Sequence, residues 1–169
     1  MATHQISIAQ NLRPDTTGRA FFEPYTVKAT NDIFGHFVMV LNDPSSGQEH
    51  GFYGQFVVPQ NYVGSAAVVP VWTSTATTGN CRMRFSYRSV GGDDTTSLDQ
   101  ASFEEQSAVT DAAPTATGRR LTPTISPTAG NFSAGETITF YFTRLDDTGT
   151  DTMAAAATVH DLVFQYADA

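Results

Sequence analysis

"CRMRFSYRS", residues 81–89, changes character at almost every step. Met83, Phe85 and Tyr87 fall on one side of an extended chain, and Arg82, Arg84 and Arg88 on the other. A period of two is the signature of a half-buried strand, because successive side chains of a strand point to opposite faces. The pattern returns in "AGETITFYFTRL" (134–145), where Ile138, Phe140 and Phe142 face inward against Thr139, Tyr141 and Thr143. It returns again in "TVHDLVFQYA" (158–167), with Leu162, Phe164 and Tyr166 inward.

Working outward, "RAFFEPYTVKATN" (19–31) is aromatic and β-branched, and "GHFVMVLND" (35–43) sets Phe37, Met39 and Leu41 against His36, Val38 and Val40. "FYGQFVV" (52–58) and "SAAVVPVWTS" (65–74) read as strands, with weaker ones at 101–110 and at 119–126, where Pro123 marks an edge. Turn residues fill 44–51, "TATTGN", 91–100 and 146–157, the last allowing a helical turn over its alanines. About nine short strands at regular spacing, with no amphipathic helix, predict an all-β fold. The expected architecture is a two-sheet antiparallel β-sandwich, a jelly roll, with immunoglobulin-type topology as the alternative. The core is predicted to hold Phe37, Met39, Phe56, Trp72, Phe85, Ile138, Phe140, Phe142, Leu162 and Phe164. The domain is expected over residues 19–169, preceded by a polar N-terminal arm over 1–18 whose large aliphatics beyond Met1 are Ile6, Ile8 and Leu12. Ile6 and Ile8 alternate with Ser7, so the arm is expected to add a short strand to a neighbour's sheet edge, making Ile6, Ile8 and Leu12 the candidate interaction residues.

The chain has 169 residues, enough to bury a core without metal or disulfide staples. Net charge is -8, which argues against non-specific nucleic-acid binding, since that needs cations to displace counterions from phosphate. No run approaches the roughly 18 apolar residues of a membrane span. The single cysteine, Cys81, excludes an internal disulfide. The start lacks a basic and then apolar leader, so synthesis and folding in a cytoplasm are expected.

Catalytic groupings are hard to find. His4, His36, His50 and His160 show no metal-ligand spacing, although His36 and His160 lie on strands that a fold can bring together. Cys81 has no local base, so a small buried hydrophobe is expected there. "DDTGTD" (146–151) lacks the bidentate Glu of a calcium loop and reads as a turn of solvated carboxylates. Glu104 and Glu105 are adjacent, point to opposite faces and cannot form a glycosidase pair. The expectation is a protein that is not an enzyme and carries no cofactor and no metal. Exposed coplanar aromatics would mark a carbohydrate-binding module, and Tyr53, Tyr62 and Tyr141 are the candidates.

The run from Phe56 to Gly92 resembles a β-sandwich domain recurrent in structural proteins of tailed bacteriophages. The shared marks are Val58-Pro59, Asn61 to Gly64, Val68 to Trp72 and the Thr-rich turn from Thr75 to Gly79, then a Gly-led strand ending at Arg144 with an Asp-rich turn, and the closing "HDLVFQYAD". The resemblance covers roughly residues 20–167 as a pattern of strands and turns. It implies a non-enzymatic virion component, foremost a capsid decoration (cement) protein on the capsid surface. Its implied partners are the major capsid protein and itself, as a homotrimer. A tail- or fibre-associated virion protein and a carbohydrate-binding β-sandwich module are the alternatives.

Overall fold

Alternation alone builds two layers here. The computed structural model describes residues 2–25, 36–44, 47–91 and 101–168. Ten strands run in chain order: β1 (Thr3–Ser7), β2 (Arg13–Pro14), β3 (Ala20–Tyr25), β4 (His36–Leu41), β5 (Glu49–Val57), β6 (Tyr62–Thr73), β7 (Asn80–Val90), β8 (Glu105–Ala112), β9 (Thr137–Leu145) and β10 (Ala157–Asp168). A single turn of 3-10 helix at Ala129–Asn131 is the only helical element among the described residues, and the alanines after residue 153 stay non-helical.

Two five-stranded sheets face each other, and every strand pairing is antiparallel. In one sheet β10 is central. β6 follows one of its edges, while β1 and β4 share the other end to end, with β3 outside β4. The second sheet has the order β2-β5-β9-β7-β8. Residues 121–125 cover the free edge of β6 through two bridges, Val68 with Ile125 and Trp72 with Leu121. Pro123 falls between the bridges, where no amide is needed, so the edge is closed without a full strand.

The core lies between the sheets. Phe140, Phe142 and Ile138 from β9 meet Leu162 and Phe164 from β10, and all five are essentially inaccessible. Phe132 bridges the layers, 4.8 Å from Tyr87 and 5.5 Å from Phe164 between ring centroids. Each such aromatic contact contributes about 0.5–1.5 kcal/mol beyond the area it buries. A bulge at His160 resets β10: Val159 pairs with Trp72, yet Asp161 already pairs with Val71. Ala157 and Val159 therefore face inward before the bulge, and Leu162, Phe164 and Tyr166 after it.

Phe37 departs from its expected place. It shares the inward side of β4 with Met39 and Leu41, but it is 72% exposed. Alternation fixes the side of a strand, and Phe37 stands at the strand's start, opposite Pro24, past the rim of the core. Val38 and Val40 are buried on the other side of β4. Phe56 is half-buried, leaning on Phe164 at 4.9 Å.

Of the arm expected over residues 1–18, Thr3–Ser7 and Arg13–Pro14 pair as strands with the two sheets. β1 pairs along β10 and β2 along β5. The chain passes from one sheet to the other through a turn at Gln10–Asn11, where Asn11 adopts φ 61°, a left-handed conformation that Asn tolerates better than most residues. Ile8 and Leu12 are buried in the core, and Ile6 packs against it.

Candidate functional site

The outer face of the second sheet carries a row of side chains fixed by register. Arg13 stands opposite Tyr53, Tyr53 opposite Tyr141, and Tyr141 opposite Ser86, so four strands supply one line across the sheet. In the next row Gln55 faces Thr139, and Thr139 faces Arg88. Asn11, Arg13, Tyr53, Gly54, Gln55 and Thr139 line a depression of about 330 Å³. Gly54 is required at its base. A Cβ there would collide with Leu12 Cδ2 and Phe140 Cζ, so glycine lets the N-terminal segment close onto the sheet and carry Arg13 to Tyr53.

The two tyrosines form a stacked pair, 4.2 Å between centroids and 14° from parallel. Tyr141 is the buried member, and Tyr53 lies over it with 49% of its surface open. Expecting Tyr141 on the outer side was right as to side; its neighbour Tyr53 is what covers it. The Tyr141 hydroxyl donates to Asp15 Oδ2 at 2.9 Å. The same oxygen accepts the Gly51 amide at 2.7 Å, and Oδ1 accepts the Thr17 amide at 3.0 Å and the Thr17 hydroxyl. Burial would raise the Asp15 carboxyl, but the donors from Thr17, Gly51 and Tyr141 hold it below its ordinary range. Burial and then the Asp15 bond push the Tyr141 hydroxyl far up, so it stays protonated. Beside the row, Arg84 pairs with Glu49 and reaches Asp147 at 3.5 Å, while Arg82 Nε donates to Asp147 at 2.9 Å. Ser86 Oγ and Thr143 Oγ1 are buried without a hydrogen-bond partner among the described residues. The face thus offers an open aromatic ring, amide and hydroxyl groups and a guanidinium, with its carboxylate ionised and its phenol neutral.

No family model matches the chain, and neither does any curated protein sequence. Solved structures do match over nearly its whole length. A family 35 carbohydrate-binding module from Clostridium thermocellum superposes with TM-score 0.52 at 14% identity, covering 99% of both chains. The CBM22-1 xylan-binding domain of Paenibacillus barcinonensis Xyn10C gives TM-score 0.51 at 12% identity over 99% of this chain and 94% of that one. The K1 cleaved adhesin domain of Lys-gingipain from Porphyromonas gingivalis W83 gives 0.51 at 11% identity, covering 97% and 98%. The fold is a jelly roll.

Within this jelly roll the other sequence candidates fall elsewhere. Tyr62 is buried, and its hydroxyl donates to the Ala129 carbonyl at 2.8 Å, so it belongs to the core and not to the aromatic pair. His36 Nε2 and His160 Nδ1 do meet, at 2.8 Å, across β4 and β10. Among the described residues no group of three or more His, Cys, Asp or Glu is placed to hold a metal ion. Cys81 is fully buried, and burial pushes its thiol up. Glu105 accepts from Tyr87, Ser107, Asn131 and the Thr128 amide. Burial opposes that arrangement, yet these donors lower the Glu105 carboxyl and hold it ionised, the reverse of what a glycosidic general acid requires. Most of residues 91–100, read as a loop, lie outside the described residues, as does the end of the strand expected over 19–31.

Asp151 is not a solvated turn residue. Its side chain is fully buried and accepts Arg144 Nη2 at 2.6 Å and Nε at 2.8 Å. Arg144 shares the parity of Ile138, Phe140 and Phe142, so β9 aims its guanidinium into the interior, where a carboxylate has to meet it. The carbonyls of Ala155, at 2.6 Å, and Met153 accept further protons, and Asp43 Oδ1 lies 3.5 Å from Nη2.

Of Tyr53, Tyr62 and Tyr141, expected as exposed coplanar aromatics, the structure stacks Tyr53 on Tyr141 but leaves only Tyr53 open, and it adds Arg13, which the sequence did not mark. The available signal was modest: two tyrosines on the polar sides of two strong strands.

Proposed function

We propose that this chain is a non-catalytic glycan-binding jelly roll whose contact surface is the open face of Tyr53 and the adjoining depression. The observation that carries the reading is the Tyr53–Tyr141 pair. A ring kept half open and backed by a second ring is a rigid apolar platform, and a sugar ring presents a matching apolar face of C–H groups. Gln55, Asn11 and Thr139 supply the orienting hydrogen bonds that a mostly apolar platform needs for specificity. The likeness to the xylan-binding domain and to the family 35 module supports the fold as a host for such a site, as analogy.

Titration calorimetry against a panel of soluble polysaccharides tests the reading. Binding of at least one, weakened tenfold or more by Tyr53→Ala in a variant that stays folded at the assay temperature, is the expected result; tenfold corresponds to about 1.4 kcal/mol. Failure to bind any glycan overturns the function, and undiminished binding by the variant overturns the site.

The virion reading stands beside it, supported by the sequence resemblance: a capsid decoration subunit on the capsid surface, bound to the major capsid protein as a homotrimer. Light scattering that finds only monomer at high protein concentration counts against the trimer. Imaging of intact particles decides the location.

A further inference from the structure

We infer that the glycan is acidic, a chain bearing uronic acid carboxylates, and that Arg13 is the residue that selects it. The inference rests on the glycan-binding reading above and adds the ligand's charge. Arg13 is exposed, lines the depression and stands opposite Tyr53 in the β2–β5 ladder. Opposed residues of an antiparallel pair have Cα atoms about 4.5–5.5 Å apart and project to the same face, so the guanidinium emerges beside the open ring. A pyranose stacked on Tyr53 would carry a C5 carboxylate at its rim, within reach of that guanidinium.

The charge state of the surroundings points the same way. Arg82, Arg84 and Arg144 are each engaged in ion pairs, whereas Arg13 makes no ion pair or side-chain hydrogen bond among the described residues. The carboxylates of this face are already engaged. Glu49 is paired with Arg84, and Asp15 accepts from Thr17, Gly51 and Tyr141. On the far side of Thr139, outside the depression, Arg88 donates from Nη1 to the Ser102 carbonyl at 3.3 Å, which leaves Arg13 as the guanidinium that lines it. In a chain of net charge -8, an exposed guanidinium at the edge of a depression whose neighbouring carboxylates are engaged favours an anionic occupant locally, against the charge of the whole. A planar carboxylate matches the arginine fork in two parallel hydrogen bonds, a geometry that lysine cannot reproduce.

The test uses the full chain and oligosaccharides bearing galacturonate, glucuronate, mannuronate or guluronate. Each is measured beside its carboxyl methyl ester and beside neutral and sulfated oligomers of similar length. The expected result is that at least one uronate oligomer binds tenfold or more tighter than its own ester. Arg13→Gln should erase that margin and Arg13→Lys, which keeps the charge but not the fork, should reduce it, while Tyr53→Ala weakens acid and ester by the same factor. The margin should also shrink as salt is raised. Equal binding of acid and ester, retention of the margin by Arg13→Gln, or a preference for the sulfated oligomers overturns the inference and leaves the glycan-binding reading standing. Absence of binding to every oligomer overturns both.

Discussion

Phe52 and Phe142 stand opposite each other on β5 and β9, and one residue along the same ladder so do Tyr53 and Tyr141. The phenylalanines face the other sheet and are inaccessible, while on the outer face Tyr53 remains half open over a buried Tyr141. Two aromatic pairs therefore share one backbone and differ in what lies above them. The inner pair is held by the second layer. The outer pair is held by the carboxylate of Asp15 and by the ring beneath it. Opposite sides of two strands thus divide the work, with stability on one side and an available surface on the other.

The largest expected effect breaks the inner side. Phe142→Ala should lower unfolding free energy by about 3–5 kcal/mol in urea titration, the range for a large buried aromatic. A loss under about 1 kcal/mol would mean that the two faces are not as different as they look. Asp151→Ala should approach that figure, about 3–5 kcal/mol, because it leaves the buried Arg144 charge with only the longer Asp43 contact at 3.5 Å. A variant that also replaces Arg144 with Met should recover much of the loss, which separates a charge effect from a packing effect. On the outer side, Asp15→Ala removes an ionised acceptor of several donors and should be milder, about 1.5–3 kcal/mol. It should also release the Tyr141 hydroxyl, visible as a fall in its titration midpoint by ultraviolet absorbance. Tyr53→Ala should cost about 0.5–1.5 kcal/mol, the worth of the one ring contact it loses, while removing glycan binding.

The smallest effect concerns pH. Burial lowers the imidazoles of His50 and His160, with His36 adding to the shift at His160. A lowered histidine is protonated more readily in the unfolded chain. Stability is therefore full above the ordinary histidine value of about 6.5 and declines as pH falls from there towards the folded value. The melting temperature should drop slightly over that window, and His160→Gln should flatten part of the drop. A second decline should follow below about pH 4, where Asp15 and Glu105, both held low in the folded state, take up protons.

What could be read from sequence follows from the range of each interaction. The inward triplets Met83-Phe85-Tyr87 and Ile138-Phe140-Phe142 are local facts, written in a period of two, and the structure places all six in the core. Phe37 shows the limit of that signal: parity gives a side, but not how far along the strand the second layer extends. The Tyr53–Tyr141 stack and the place of Arg13 beside it depend on register between strands distant in the chain, which no single stretch encodes. Asp151 was misread for a related reason. Its turn chemistry is local, whereas its partner's inward aim is set by β9. The N-terminal residues read as polar because only one face of β1 is apolar, and β10, the strand it pairs with to bring Ile6 onto the core, lies at the other end of the chain.

The pairing of β1 with β10 also has a mechanical consequence. Thr3 pairs with Ala167, and the Ala2 amide donates to Asp168 Oδ1 at 3.1 Å, so the two ends of the fold emerge side by side. Tension applied between those ends would draw the strands apart like a zipper, loading one rung of the ladder at a time. Resistance to such a pull is low, because the rungs yield in sequence instead of sharing the force. A molecule held by one end and loaded through the face of its second sheet would escape that weakness, since the force path then bypasses the seam. Single-molecule extension from the two termini should therefore release β1 first, at a force well below that which separates β5 from β9.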